Sequence, residues 1–180
     1  AINLPLTEWA NDSMRWLTSN YRSVFQAIKA PVKVALDFVE DGLRDTPQSL
    51  LLLLFTAFAW QVVNRATAII TFLGLLAIGL IGAWDPAMTS LAVLITAVSI
   101  SVIIGLPLGI LCARVNVLWA IVRPVLDFMQ TIPSFTYLVP VILLFGIGNV
   151  PGVIVTVFFA TAPLIRLTNL GLREVRSDLV

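Results

Sequence analysis

The side chains with chemistry to offer cluster between Phe128 and Gly152. Gln130, Thr131, Ser134, Thr136, Tyr137 and Asn149 bring hydrogen-bonding groups and a phenol to a stretch that holds no charge. Pro133 and Pro140, seven apart, and then Gly146, Gly148, Pro151 and Gly152 predict a backbone that is not regular helix throughout. Irregular backbone at membrane depth is tolerated where it is buried in protein or lines a water-filled cavity. The chemistry on offer is therefore passage rather than reaction, because a zwitterion could move along such a surface without being trapped by a full opposite charge. Met129, Gln130, Thr131, Ser134, Phe135, Tyr137 and Asn149 are the candidate path residues. Pro107, Pro133, Pro140, Gly146, Gly148, Pro151 and Gly152 are the candidates for helix breaks and gating. For any single polar residue the plainer reading is a hydrogen bond to a neighbouring helix.

No set of residues looks catalytic. The absence of histidine removes the usual zinc sites and His-based triads, and a single cysteine, Cys112, rules out an intrachain disulfide. The apolar stretches hold no carboxylate, lysine or histidine to relay protons, although sodium held by backbone carbonyls stays open. There is no G-x-x-x-x-G-K-[ST] loop for a nucleotide, so energy for uphill movement has to come from another subunit. A net charge of +1 offers no basic stripe for nucleic acid.

The elements that must position these residues follow from composition. Of 180 residues 59% are hydrophobic and 12% charged, against about 25% charged in an average soluble domain. The charges crowd into the N-terminal 45 residues, short connectors and the C-terminal tail. From Gln48 to Trp84 the only charge is Arg65, and Pro86–Ala113 and Phe128–Ile165 carry none. A hydrocarbon core of roughly 30 Å needs about 20 apolar residues as helix, with every backbone group paired internally. These tracts predict an all-α polytopic membrane protein with about five transmembrane helices: Gln48–Val63, Ala66–Gly82, Met88–Ala113, Pro133–Gly146 and Val150–Ile165. Only Asn64 and Arg65 separate the first two, which requires a tight helical hairpin. Pro107 predicts a kink in the third, and Gly105 with Gly109 forms a small-xxx-small pair suited to close helix contact.

Residues 1–46 read as an amphipathic N-terminal segment ahead of a transmembrane domain at 47–180. Phe25, Ile28, Val32, Leu36, Val39 and Leu43 recur three or four apart while Lys29, Lys33, Asp37, Glu40, Asp41 and Arg44 fill other faces. Ser23 with Gln26 resembles a capping box, and Pro31 is expected to bend or break the helix. The segment could lie in the headgroup layer with Trp9, Trp16 and Tyr21 at the interface, or form a small extramembrane helical hairpin. Arginines at 65, at 114 and 123, and at 166, 173 and 176 fall in alternate connectors, which puts those connectors in the cytoplasm and the N-terminal helices outside. Trp60, Trp84 and Trp119 near span ends suit an aromatic belt.

Two segments, RPVLDFMQTIPSFTYLVPVILLFGIGNVPGVI at 123–154 and APLIRLTNLGLREVRSDLV at 162–180, resemble the permease subunits of glycine betaine/proline betaine ABC importers. SISVIIGLPLGILCAR at 99–114 is similar to the span that precedes them in that family. SFTYLVP and GIGNVPGV look more like the glycine betaine branch than the choline and carnitine permeases. The resemblance implies the N-terminal part of a type I importer permease, working as a homodimer with a second permease copy in the cytoplasmic (inner) membrane of a prokaryote. It implies two ABC ATPase subunits that use ATP and Mg, no cofactor held by this chain, and an extracytoplasmic substrate-binding protein or fused domain. Alternating access with inward release follows from the same resemblance, as does an approach to the ATPase through Arg166, Asn169, Arg173 and Glu174. Members of the family continue past the matching REVRSDLV into the EAA coupling loop and further spans, so the sequence is expected to stop short of them and to be incomplete as a transporter. Two other classes compete: a passive osmolyte channel without nucleotide coupling, and a membrane scaffold or assembly protein.

Overall fold

The computed structural model describes residue 16 and residues 20–174, apart from the side chain of Ser134. Trp9, Arg176 and Asp178 lie outside the described residues. Every regular element is a helix: α1 Arg22–Asp45, α2 Gln48–Val62, α3 Arg65–Leu80, α4 Trp84–Arg114, α5 Asn116–Thr131, α6 Ser134–Phe145 and α7 Asn149–Glu174. Contacts divide the chain into two compact units, one of residues up to 33 together with 96 onward, the other of residues 34–95.

In the 34–95 unit, α2 and α3 form the expected hairpin. Asn64 adopts an extended backbone at the turn, and its Oδ1 accepts from the Thr67 amide at 2.8 Å, supplying one of the donors' partners that a helix start lacks. With 15 and 16 residues these helices are only about 22–24 Å long. They fall short of the length expected of them as single spans. Leu51, Trp84 and Met88 make the core, with Leu43, Phe55, Leu75 and Leu91 packed on it. Trp84 is 6% exposed, so it packs inside the unit rather than joining an aromatic belt. Trp60 is 58% exposed, and the Arg65 guanidinium lies 5.8 Å from its ring centre. On the α1 side of the unit, Glu40 pairs with Arg44 at 2.9 Å, and Thr89 both donates to Glu40 and accepts from Arg44.

α1 carries the amphipathic pattern: Leu36 is buried and Phe25, Val32, Val39 and Leu43 are half-buried, while Ile28 faces out. Ser23 lies inside the helix rather than capping it, contrary to expectation, since the Phe25 amide already bonds to Tyr21 O. Of the two outcomes expected at Pro31, a bend or a break, the break does not occur: the helix runs through it, and since Pro31 and Ala27, whose carbonyl loses its donor, are both exposed, the cost of the missing bond is solvated away.

In the other unit α4 and α7 are the two helices long and apolar enough to cross a bilayer. Both outrun their expected limits: α4 starts at Trp84 with Asp85 in its first turn and Arg114 in its last, matching the helix macrodipole, and α7 runs on past Ile165 to Glu174. They meet through glycine. A Cβ on Gly105 would lie 2.8 Å from Leu164 Cδ2, and one on Gly109 only 2.7 Å from Thr168 Cβ. Apolar side chains gain little from leaving lipid for a helix interface, so this close backbone approach, with its dispersion contacts, is what holds such a pair together. Cys112, Leu126, Met129, Ala162 and Ile165 form the core where α4, α5 and α7 converge.

The segment between Arg114 and Pro133 was expected to be a connector. It is the helix α5, whose Leu118, Val122, Leu126 and Met129 present one apolar stripe to that core. α5 and α6 are set at 100° across the break at Ile132–Pro133, so the fourth expected span is the shorter arm of a bent pair that together is long enough for a third crossing.

Candidate functional site

The break between α5 and α6 has a local cause. Ile132 is extended, Pro133 has no amide proton to continue the ladder, and α6 restarts with the Thr136 amide bonded to Pro133 O at 2.9 Å. Interruption of α5 leaves carbonyls in its last turn without helical donors. The Phe128 carbonyl recruits two hydroxyls instead: Thr131 Oγ1 donates to it at 3.0 Å and Tyr137 Oη at 3.3 Å. Tyr137 thus reaches back across the bend, and its ring packs on Phe158 and Phe159 of α7, with centres 5.0 and 5.5 Å away.

Beside this bend lies an open cleft of about 530 Å³, lined by Gln130, Ile132, Pro133, Phe135 and Leu138 from the α5–α6 pair and by Val155, Thr156 and Phe159 from α7. Its polar groups are one amide and one hydroxyl, and the Thr156 hydroxyl donates to Gly152 O at 2.8 Å. Gln130 is exposed and Phe135 is 80% exposed. Among the described residues, no charged side chain lines the cleft. An uncharged, partly aromatic wall can attract a quaternary ammonium by about 0.5–1 kcal/mol per exposed ring without binding it tightly.

Gln130, Pro133 and Phe135 therefore share one cleft, and Thr131 and Tyr137 share the carbonyl that anchors its edge. Ser134 is the first residue of α6. Met129 does not join them: it is 8% exposed and packs in the α4–α5–α7 core, because it falls on the apolar stripe of α5. Asn149 is the exposed first residue of α7 and is not part of the cleft wall. Among the break candidates, Gly146 and Gly148 have φ of 86° and 137°, values that suit glycine. Pro107 and Pro140 lie within helices, and Pro151 and Gly152 within the first turn of α7, where a proline's missing amide proton has no helical acceptor to lose. Between residues 128 and 152 the irregular backbone is thus confined to 132–133 and 146–148.

At the far end of α7, Arg166, Asn169 and Arg173 lie along one face. Arg166 forms an ion pair with Asp127 of α5. Arg173 donates to Asn169 Oδ1 at 2.9 Å, to Asn116 Oδ1 at 2.8 Å and to the Cys112 carbonyl at 3.0 Å. Asn169 is 4% exposed and Glu174 is exposed. Asn116, Asp127, Thr156 and Phe159 were not singled out from the sequence. The signal for Asn116 and Asp127 was their place on a helix that had been read as a connector; for Thr156 and Phe159 it was only their i, i+3 spacing, which says nothing about what they face.

Residues 105–180 match the family model described as "Binding-protein-dependent transport system inner membrane component". Over 98% of its length the chain is similar to permease subunits of betaine transport systems. It is 45% identical across 177 residues to the glycine betaine/proline betaine transport system permease protein of Escherichia coli (strain K12). It is 38% identical to the glycine betaine transport system permease protein of Bacillus subtilis (strain 168), and 38% identical to the glycine betaine/carnitine transport permease protein of Listeria monocytogenes. The chain spans 50% of the first relative's length, 63% of the second's and 64% of the third's.

Proposed function

We propose that this chain is part of the permease subunit of an ATP-driven, binding-protein-dependent importer that carries glycine betaine or a related quaternary-amine solute across the cytoplasmic membrane. The observation that carries the proposal is the uncharged cleft of Gln130, Phe135, Thr156 and Phe159 at a broken helix, in a chain that aligns with betaine permeases over 98% of its length. The subunit performs no catalysis of its own. It holds no nucleotide or metal, and ATP with Mg is used by two partner ATPases. A second permease copy completes the passage, and a binding protein or domain outside delivers the solute.

In this reading residues 1–46 precede a transmembrane part at 47–180 that threads the membrane five times, with α2 and α3 completed as spans by local thinning of the bilayer. The arginine-bearing ends face the cytoplasm. Gln130, Thr131, Ser134, Phe135 and Tyr137 then mark the stretch along which the solute moves, and Pro133, Gly146 and Gly148 the places where the wall yields. Arg166, Asn169, Arg173 and Glu174 lead toward the ATPase, the ties of Arg166 to α5 and of Arg173 to α4 and α5 making this end of α7 stiff enough to transmit a push.

The test is cysteine labelling at Ser134 and Tyr137 in the complete transporter. Accessibility at one or both changes between the nucleotide-free and ATP-trapped states; no change at either would refute the pathway. Solute flux in vesicles that lack any ATPase would instead identify a passive channel.

A further inference from the structure

Phe145 is the last residue of α6, and its carbonyl is one of those a helix end leaves without an internal donor. Lys29 of α1 supplies the donor: its Nζ donates to Phe145 O at 2.7 Å. One turn earlier on the same face of α1, the ring of Phe25 meets the ring of Phe145 edge-on, with centres 5.5 Å apart and planes at 78°. The contact continues into the turn. Gly146 caps α6 with a positive φ of 86° and bonds its amide to Ile142 O at 2.8 Å, and a Cβ placed on it would stand 3.5 Å from Lys29 Nζ. Lys29 is half-buried and 116 residues distant in sequence, so this is a tertiary contact rather than a local cap. A cation at a helix C-terminus is also favoured by the macrodipole.

We propose that α1 is a latch on α6, with Lys29 as a positioning residue and Phe25 as its apolar companion. α6 has 12 residues, packs on α7 through Tyr137 and is tied to α5 at its other end by the Tyr137–Phe128 contact, so the Lys29 contact is what holds its C-terminal end to α1. Release of Lys29 lets the Gly146–Gly148 turn open and the short arm of the bent pair swing, while engagement fixes one wall of the cleft. The consequence for transport rests on the pathway reading given above. The latch itself does not.

The experiment uses the full-length transporter, with Lys29→Met, which keeps the length of the side chain and removes its charge, Lys29→Arg and Phe25→Ala. Hydrogen exchange of the peptide covering 138–148 is read by mass spectrometry beside betaine uptake. Loss of a charged cap is expected to raise opening of the last turn of α6 about two- to fivefold in Lys29→Met. Lys29→Arg is expected to restore protection, Phe25→Ala to raise exchange in the same direction, and peptides from α3 to stay unchanged in all three. Uptake is expected to change in Vmax while KM, set by the external binding component, holds. Unchanged exchange in both Lys29→Met and Phe25→Ala would overturn the latch, as would equal loss of protection in Lys29→Met and Lys29→Arg. Faster exchange with unaltered uptake would uphold the latch and overturn the role of α6 in the pathway.

Discussion

Arg173 Nη2 donates to Asn116 Oδ1 across 2.8 Å, which ties the last turn of α7 to the first turn of α5. The same nitrogen also caps the Cys112 carbonyl at 3.0 Å, near the end of α4. One guanidinium thus joins three helices where the chain turns, a task suited to a planar group with several donors in a fixed fork. Removal of Arg173 as alanine is expected to destabilise the full-length permease by about 1–2 kcal/mol, since it strands a helix-end carbonyl and an amide together. Lysine should recover only part of this, because a single ammonium cannot serve the same set of acceptors. Thermal unfolding in detergent of the wild type, Arg173→Ala and Arg173→Lys gives the order.

The glycine contact between α4 and α7 predicts an asymmetry. Gly105→Ala places its methyl against the flexible end of Leu164, which can rotate away, whereas Gly109→Ala meets Thr168 Cβ at 2.7 Å and the Ile165 carbonyl at 3.2 Å. Overpacking of the second kind costs about 1–3 kcal/mol. Gly109→Ala should therefore lower the unfolding temperature more than Gly105→Ala, and equal effects would mean that the helices do not meet in this register.

Tyr137 separates its two contributions cleanly. Tyr137→Phe keeps the ring against Phe158 and Phe159 and loses only the bond to Phe128 O, at a cost of about 0.5–1.5 kcal/mol. Tyr137→Ala loses both contacts and, on the proposed function, should impair uptake by the complete transporter much more than phenylalanine does. Uptake rates at matched expression decide the point; a phenylalanine variant as poor as alanine would show that the hydroxyl, not the packing, dominates.

The Asp127–Arg166 pair joins α5 to α7, but its side chains are 50% and 35% exposed. Solvent screening limits an ion pair of this kind to about 0–1 kcal/mol. Asp127→Asn should shift stability by less than that, with a difference from wild type that shrinks as salt rises. Exchange of the two charges should restore most of whatever is lost. A larger, salt-independent effect in a double-mutant cycle would show that the pair is more deeply desolvated than its exposure suggests.

Helicity and the long uncharged tracts were legible in the residues alone. Long uncharged tracts have few alternatives in lipid, where the backbone must bond to itself, and this constraint acts on each segment separately. The Asn64–Arg65 hairpin, the break at Pro133, the glycines at 105 and 109 and the apolar face of α1 were readable for the same reason: each is a property of a few neighbouring residues.

What tertiary structure decided was which of them meet. Met129 and Gln130 are adjacent in sequence, yet one is buried in a core and the other lines a cleft, because the helix that carries them rotates successive side chains by about 100° and packs only one face. Trp84 left the expected belt for a core because Leu51 and Met88 pack around it. Pro31 and Pro107 did not end helices, since the cost of one missing bond depends on what surrounds the freed carbonyl, and that is set by packing and solvent. The contacts of Lys29 with Phe145 and of Arg173 with Cys112 span 116 and 61 residues, and no local pattern records such partners. Local energetics selects the elements; only the assembled fold pairs a side chain with a carbonyl that far along the chain.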